Sequence, residues 1–316
     1  MSLNIDQVII VGAGPMAVSY AQVLRSASIP AKIIGRSESS AAKCSEQTGI
    51  RVVTGGLRSY LNDFQAPLHA IIATGVDSLE ENTIMLLESG CKNILVEKPG
   101  AINKDGLKRL LNATRQYNGN VYIAYNRRFY ASVNKARQII EEDGGLREVY
   151  FEFTEWSHII ESLPKEAAVK SHWFLANSTH VVDLAFHFAG LPSNWQGYVS
   201  GGNSWHNAAT RFVGSGITSK DVLFTYQADW EGPGRWGLEL VTKKRRLFLR
   251  PLEQLSVQES GSVTIQKLEL DDEKDTTFKP GLYAQVMAWL NKNEEHLCSA
   301  EEQWNAMDIY YKMAGY

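Results

Sequence analysis

The sequence predicts a two-domain α/β chain: a doubly wound parallel sheet over residues 1–125, then an α+β domain with a mainly antiparallel, open sheet over residues 126–316. Three observations carry this. Short β-branched runs alternate with helix-like stretches up to Tyr125, a glycine-rich turn joins the first run to the first helix, and beyond Tyr125 strands with Gly-rich turns predominate. A length of 316 residues suits two hydrophobic cores better than one.

Runs at 8–11, 32–34, 51–53, 70–73, 93–96 and 121–124 are short and apolar, as strands covered on both faces should be. Helices are predicted between them at 16–26, 38–48, 81–89 and 104–117. Gly49 and Gly90 follow the second and third of these, where a left-handed stop is wanted. In the second half a helix at 132–142 leads to a strand at 148–156, in which Val149, Phe151 and Phe153 alternate with Tyr150, Glu152 and Thr154. A helix at 178–189 ends at Gly190-Leu191-Pro192. The segments ATRFV, DVLFTYQADW, WGLELVT, RLFLR and SVTIQKLEL then read as successive strands, followed by a helical tail from about Tyr283.

Composition narrows the function classes. With 44% hydrophobic and 21% charged residues the chain is an ordinary globular one, and a net charge of −3 exerts no general pull on nucleic acid or anionic membrane. The basic run KKRR at 243–246 lacks aromatic interleaving and reads as a solvated turn. No apolar run reaches the roughly 18 residues of a membrane span, and the opening MSLNIDQ lacks the pattern of a signal peptide, so the expected location is the cytoplasm. Cys44, Cys91 and Cys298 stand far apart without metal-ligand spacing and are expected as reduced thiols.

The chemistry begins in VIIVGAGPMAVSYAQVL, where Gly12-x-Gly14-x-x-Ala17 lies between an apolar strand and an amphipathic helix. Gly12 permits the tight turn, Gly14 lets backbone approach a pyrophosphate, and Ala17 keeps the helix close to the strand. Pro15 suits the first helical turn, and with Met16 it forms the rim of the expected phosphate site at the helix N-terminus. After the second strand an NAD site would carry an acid for the ribose hydroxyls, but Gly35 stands there. Arg36 and Ser37 follow and suit a 2′-phosphate, which favours NADP; an Arg36 that only stacks on adenine would leave NAD open. In ILVEKPG, Glu97 and Lys98 sit at the carboxyl end of the fifth strand, where open parallel sheets bind ligands. Lys98 there can exchange a proton with a substrate oxygen; the plainer reading is a surface ion pair.

GAGPMA, VEKPGA after the fifth strand, AYNRRF after the sixth and THVVDLAFHFAGLP in the second half together resemble the glucose–fructose oxidoreductase, inositol dehydrogenase and rhizopine catabolism (Gfo/Idh/MocA) family. That resemblance implies a Rossmann domain bound to NADP or NAD, and an α/β domain whose open sheet joins copies into a homodimer or homotetramer. It implies hydride transfer at a secondary alcohol or ketone of a sugar, sugar nucleotide or polyol. Carried onto this chain, it makes Lys98 catalytic, puts Glu97 and Thr74 beside the cofactor, and puts Asn126 and Arg128 at the substrate.

For the histidine two spacings compete. His180-x-x-Asp183, with Gly190 ten residues after the histidine, fits the family register better than Asp183-x-x-x-His187, so His180 is the expected active-site histidine. The family's acid four residues earlier falls on Ala176, which leaves Asn177 or Asp183 to orient His180. Asp183 and Trp173, the latter able to stack on a sugar face, complete the expected substrate residues. No metal is expected, because His180 and His187 are separated by about 10 Å of helical rise. Two other readings stay open: a catalytically silent sensor of the same fold, and a reductase of imines or tetrapyrroles.

Overall fold

The computed structural model describes residues 7–316; the opening MSLNID, read above for a leader, lies outside them. Contacts divide the chain into two compact units. One runs to Tyr125 and takes in Thr277–Asn305; the other is Asn126–Thr276 with Ala306–Tyr316.

The first unit alternates β1 (Val8–Val11), α1 (Pro15–Ser26), β2 (Ala31–Ile34), α2 (Glu38–Thr48), β3 (Val52–Val53), α3 (Gly56–Asp63), β4 (His69–Ile72), α4 (Leu79–Glu88), β5 (Asn93–Val96), α5 (Lys104–Gln116) and β6 (Asn120–Ile123). The six strands pair in parallel in the order β6-β5-β4-β1-β2-β3. Strand order reverses at β1, so the carboxyl ends of β1 and β4 flank the crevice where such sheets bind ligands. Helices on both faces explain why Val8, Ile9, Ile10, Ile94, Leu95 and Val96 are completely buried, as the continuous apolar runs predicted. Helix α3 was not foreseen. It opens at Gly55 and Gly56, both at positive φ (+94° and +79°), a pair that reads from sequence as a turn and nothing more.

The second unit holds α6 (Ala131–Glu142), β7 (Glu148–Glu152), the short helices α7 (Ser157–Glu161) and α8 (Ala167–Ser171), and α9 (Thr179–Ala189). Strands β8 (Pro192–Ser200), β9 (Arg211–Thr218), β10 (Leu223–Asp229), β11 (Gly237–Val241), β12 (Arg245–Leu249), β13 (Ser256–Glu259) and β14 (Ile265–Lys267) follow. Together with β7 they form an eight-stranded sheet, β14-β13-β12-β11-β7-β10-β9-β8, antiparallel except for β7 beside β10. This is the mainly antiparallel sheet that the alternating patterns predicted. Helix α9 covers one face, with Phe186 packing edge-on against Phe151 and Phe224. The opposite face is open: Tyr198, Leu223 and Val213 are 68%, 53% and 52% exposed.

Chain order closes with α10 (Glu273–Thr277), α11 (Leu282–Leu290), β15 (Cys298–Ser299) and α12 (Ala300–Ala314). Residues 277–305, which the sequence grouped with the second domain, pack in the first unit. Strand β15 adds antiparallel to the β6 edge, and the Trp289 indole donates to Asn93 Oδ1 at 2.8 Å. Helical periodicity shows that a tail is amphipathic but not which core receives it. Among the described residues no helix is long and apolar enough to cross a membrane.

The KKRR run is more than a solvated turn. Lys243 and Lys244 are exposed, but Arg245 turns inward and donates to Asp143 from Nε (2.9 Å) and Nη2 (2.7 Å). The Thr242 hydroxyl donates to the same carboxylate at 2.7 Å, tying the end of α6 to the β11–β12 turn. The hydrogen bonds from Arg245 hold the fully buried Asp143 carboxyl below its ordinary range. A carboxyl depressed in the folded state stabilises the fold above the unfolded value of about 3.9 and loses that contribution as pH falls. Asp143→Asn should therefore lower the melting temperature at neutral pH, with the gap to wild type closing in acid. A gap of constant size in melts across that range would rule this out.

Candidate active site

In the first unit the glycine turn has the stereochemistry a phosphate site needs. Gly12 lies at φ +124°, and a Cβ added there would stand 2.4 Å from the Ala73 carbonyl oxygen, so only glycine fits between β1 and β4. Gly14 is different: a Cβ there would meet nothing within 4 Å, leaving open space beside the backbone. Gly14 caps α1 without a side-chain hydrogen bond, Pro15 opens the helix, and Ala17 is buried against the sheet. The first-turn N–H groups and the positive dipole end thus face an open surface. Met16 is half-buried, its sulfur 3.2 Å from Lys279 Nζ, an approach made by the returning segment.

At the end of β2, where an NAD site would carry an acid, a side chain would crowd its neighbours. A Cβ on Gly35 would come within 3.0 Å of Val52 Cγ1 and 3.1 Å of Ala13 Cβ. Arg36 and Ser37 then emerge exposed. The Ser37 hydroxyl caps α2 by accepting from Ser40 N at 3.4 Å and lies 2.8 Å from Ser40 Oγ. A guanidinium beside a pair of hydroxyls suits a dianion.

Thr74 follows β4 half-exposed, and Glu97 follows β5. The Glu97 side chain is anchored: Tyr20 of α1 donates its hydroxyl to Glu97 Oε1 at 2.8 Å. Burial pushes the Glu97 carboxyl above its ordinary value, against the Tyr20 hydrogen bond and the nearby charges of Lys98 and Lys279. Burial likewise raises the Tyr20 hydroxyl, and the Glu97 charge adds to that. Lys98 is half-buried and joined to Pro99 by a cis peptide bond.

In the second unit a 3-10 turn, Asn126–Phe129, follows the sixth strand of the chain. Asn126 and Arg128, both expected at the substrate, are 4% and 2% exposed. Arg128 is paired bidentately with Asp183 of α9, Nε to Oδ2 at 2.8 Å and Nη2 to Oδ1 at 2.5 Å. Arg128 and Asp183 are thus brought together, each on the other. His180 is 6% exposed, one turn before Asp183, with its ring 5.9 Å from that of Trp236. His187 lies two turns further along α9, against Phe188. Trp173 is 8% exposed and meets Trp205 edge-on at 6.2 Å inside an aromatic cluster, which leaves little of its face for a sugar.

The register before α9 departs from expectation, because residues Phe174–Ser178 form a π-helical turn. Asn177, considered above for orienting His180, instead donates its amide to Glu155 Oε1 at 2.9 Å. Ser178 donates to the same oxygen at 2.8 Å, and Arg235 Nη1 to Oε2 at 3.1 Å. Glu155, 1% exposed just beyond β7, is a buried acid that the sequence did not reveal, and burial raises its carboxyl above the ordinary value. Arg235 lies over the rings of Trp156 and Trp236, at 4.9 and 4.5 Å, and Arg127 lies 4.7 Å from Trp236. Among the described residues no group of three or more His, Cys, Asp or Glu side chains could hold a metal ion.

Known proteins share this architecture at low identity, and no curated protein matches the sequence. An oxidoreductase from Agrobacterium radiobacter in complex with NAD+, L-tartaric acid and magnesium superposes with a TM-score of 0.80 at 14% identity, covering 99% of this chain and 96% of that one. Levoglucosan dehydrogenase with NADH and L-sorbose gives 0.79 at 17% identity, covering 97% and 95%. UDP-N-acetylglucosamine 3-dehydrogenase from Acidithiobacillus ferrooxidans gives 0.75 at 14%, covering 98% and 96%. These similarities establish the fold. The family match is confined to the first unit and is described as an oxidoreductase family with an NAD-binding Rossmann fold. The match runs over residues 7–125, and it is to the Gfo/Idh/MocA family model.

Proposed function

We propose that the protein is an NADP-linked oxidoreductase acting at a secondary alcohol or ketone of a sugar, sugar nucleotide or polyol. The observation that carries this reading is Lys98 at the carboxyl end of β5, on the sheet edge that also presents the Gly12 turn and Thr74, with its neighbour Glu97 tied back to Tyr20. A bound dinucleotide supplies the hydride. Its pyrophosphate fits the uncapped first turn of α1 over the open space at Gly14, and its 2′-phosphate fits Arg36, Ser37 and Ser40. Lys98 gives its proton to the substrate oxygen in the reducing direction. Among the structural relatives, a complex with NADH and L-sorbose and a UDP-sugar dehydrogenase support the sugar class but not the choice of NADP.

The test is a panel of sugars, keto-sugars and sugar nucleotides assayed with NADPH and NADH. Wild type should prefer NADPH. Arg36→Ala should raise the KM for NADPH by about 10- to 100-fold, the loss of a charge-assisted contact of roughly 1.5–3 kcal/mol, while sparing NADH. Preference for NADH, or equal effects on both coenzymes, would sink the NADP assignment. Dinucleotide binding without turnover across the panel would favour a sensor.

A further inference from the structure

Charge around His180 does not balance. Asp183 neutralises Arg128, and Glu155 neutralises Arg235, both through direct ion pairs. Arg127, half-buried and next to Arg128 in sequence, forms no ion pair among the described residues. Among the described residues its hydrogen bond is Nη1 to the Asn126 amide oxygen at 3.3 Å. Burial destabilises its charge, Arg235 repels it, and Glu155 and the exposed Glu253 attract it without touching it. Glu253 is itself engaged by the Tyr130 hydroxyl.

The place of that surplus cation is informative. Its guanidinium lies over Trp236, the same ring that Arg235 covers and that stands against His180. A partly desolvated cation without a counter-ion costs free energy, and a neutral ligand would add to that cost by removing more water. An anion reverses the sign, because a planar guanidinium presents two parallel donors to a carboxylate or phosphate. We infer that the substrate carries an anionic group, carboxylate or phosphate, which Arg127 receives over Trp236. This rests on the oxidoreductase reading above and narrows its substrate class from sugars in general to acidic or phosphorylated ones.

The test uses the full chain with saturating NADPH or NADP, and compares D-glucuronate, D-glucose 6-phosphate and UDP-glucose with D-glucose, by calorimetry for binding and coenzyme absorbance for turnover. At least one anionic compound should bind tenfold or more tightly than glucose, and which one does identifies carboxylate or phosphate. Arg127→Gln should erase the preference, raising KM for the anionic compound by about 10- to 100-fold with kcat little changed. Arg127→Lys, which keeps the charge, should retain part of it and guards against a mere folding defect. Equal affinity for glucose, equal losses on neutral and anionic compounds in Arg127→Gln, or no binding by any anionic compound would overturn the inference. Selective anion binding that depends on Arg127, without turnover, upholds the inference while the oxidoreductase reading fails. Turnover of neutral sugars with no gain for anions does the reverse.

Discussion

Lys98→Ala should bind dinucleotide almost as wild type does and lose about 10²–10⁴-fold in kcat, the range that a positioned proton donor contributes. The proposed phosphate contacts come from the first turn of α1 and from the end of β2, neither of which this side chain builds. Two measurements check the expectation: coenzyme affinity by fluorescence titration, and single-turnover rates with the best substrate of the panel. Lys98→Arg separates charge from proton transfer, since a guanidinium keeps the cation but does not release a proton near neutrality. Recovery of turnover in Lys98→Arg would reduce the lysine to electrostatic support. Wild-type rates in Lys98→Ala would remove it from the chemistry, and with it the reading of the β5 carboxyl end as the reacting edge.

The largest expected effect on stability is at Asp183. Its carboxylate and the Arg128 guanidinium are 3% and 2% exposed and joined by two hydrogen bonds. Removing one member strands the other as a buried charge, which costs about 3–5 kcal/mol. Asp183→Asn should therefore shift urea unfolding to markedly lower concentration without changing the slope of the transition. The double variant Arg128→Met/Asp183→Leu should recover most of the loss, because an apolar pair of similar volume avoids the uncompensated charge. A single variant as stable as wild type would mean that water reaches the pair, contrary to its burial. A double variant no better than the single would show that both side chains are held for reasons other than each other.

Much of the first unit was legible because its signals are local. Four-residue apolar runs, a glycine turn and a lysine directly after β5 each declare themselves within about six residues of chain. The crowding at Gly35 was partly legible: the missing acid could be seen, but not that a Cβ there would press on Val52 and Ala13. The second unit was legible as strands and a helix but not as a site. NRRF offered two arginines, and spacing alone could not say that Arg128 turns to Asp183 while Arg127 turns to Trp236. Glu155 meets Arg235 across 80 residues of sequence, and only the fold makes that contact. The family's acid, four residues before His180, falls on Ala176, where the chain makes a π turn. A wider turn shifts which side chains share a face, and here Asn177 and Ser178 reach the buried Glu155 carboxylate.

The way β15 closes the edge of β6 bears on how the molecule is made. On the ribosome the six parallel strands emerge early, yet their outer rim stays an unpaired ladder until Cys298 and Ser299 have been synthesised. The first unit is therefore begun first and closed late, after Asn126–Thr276 of the other unit has been translated, and its final stability is tied to a segment about 175 residues downstream of the strand it seals.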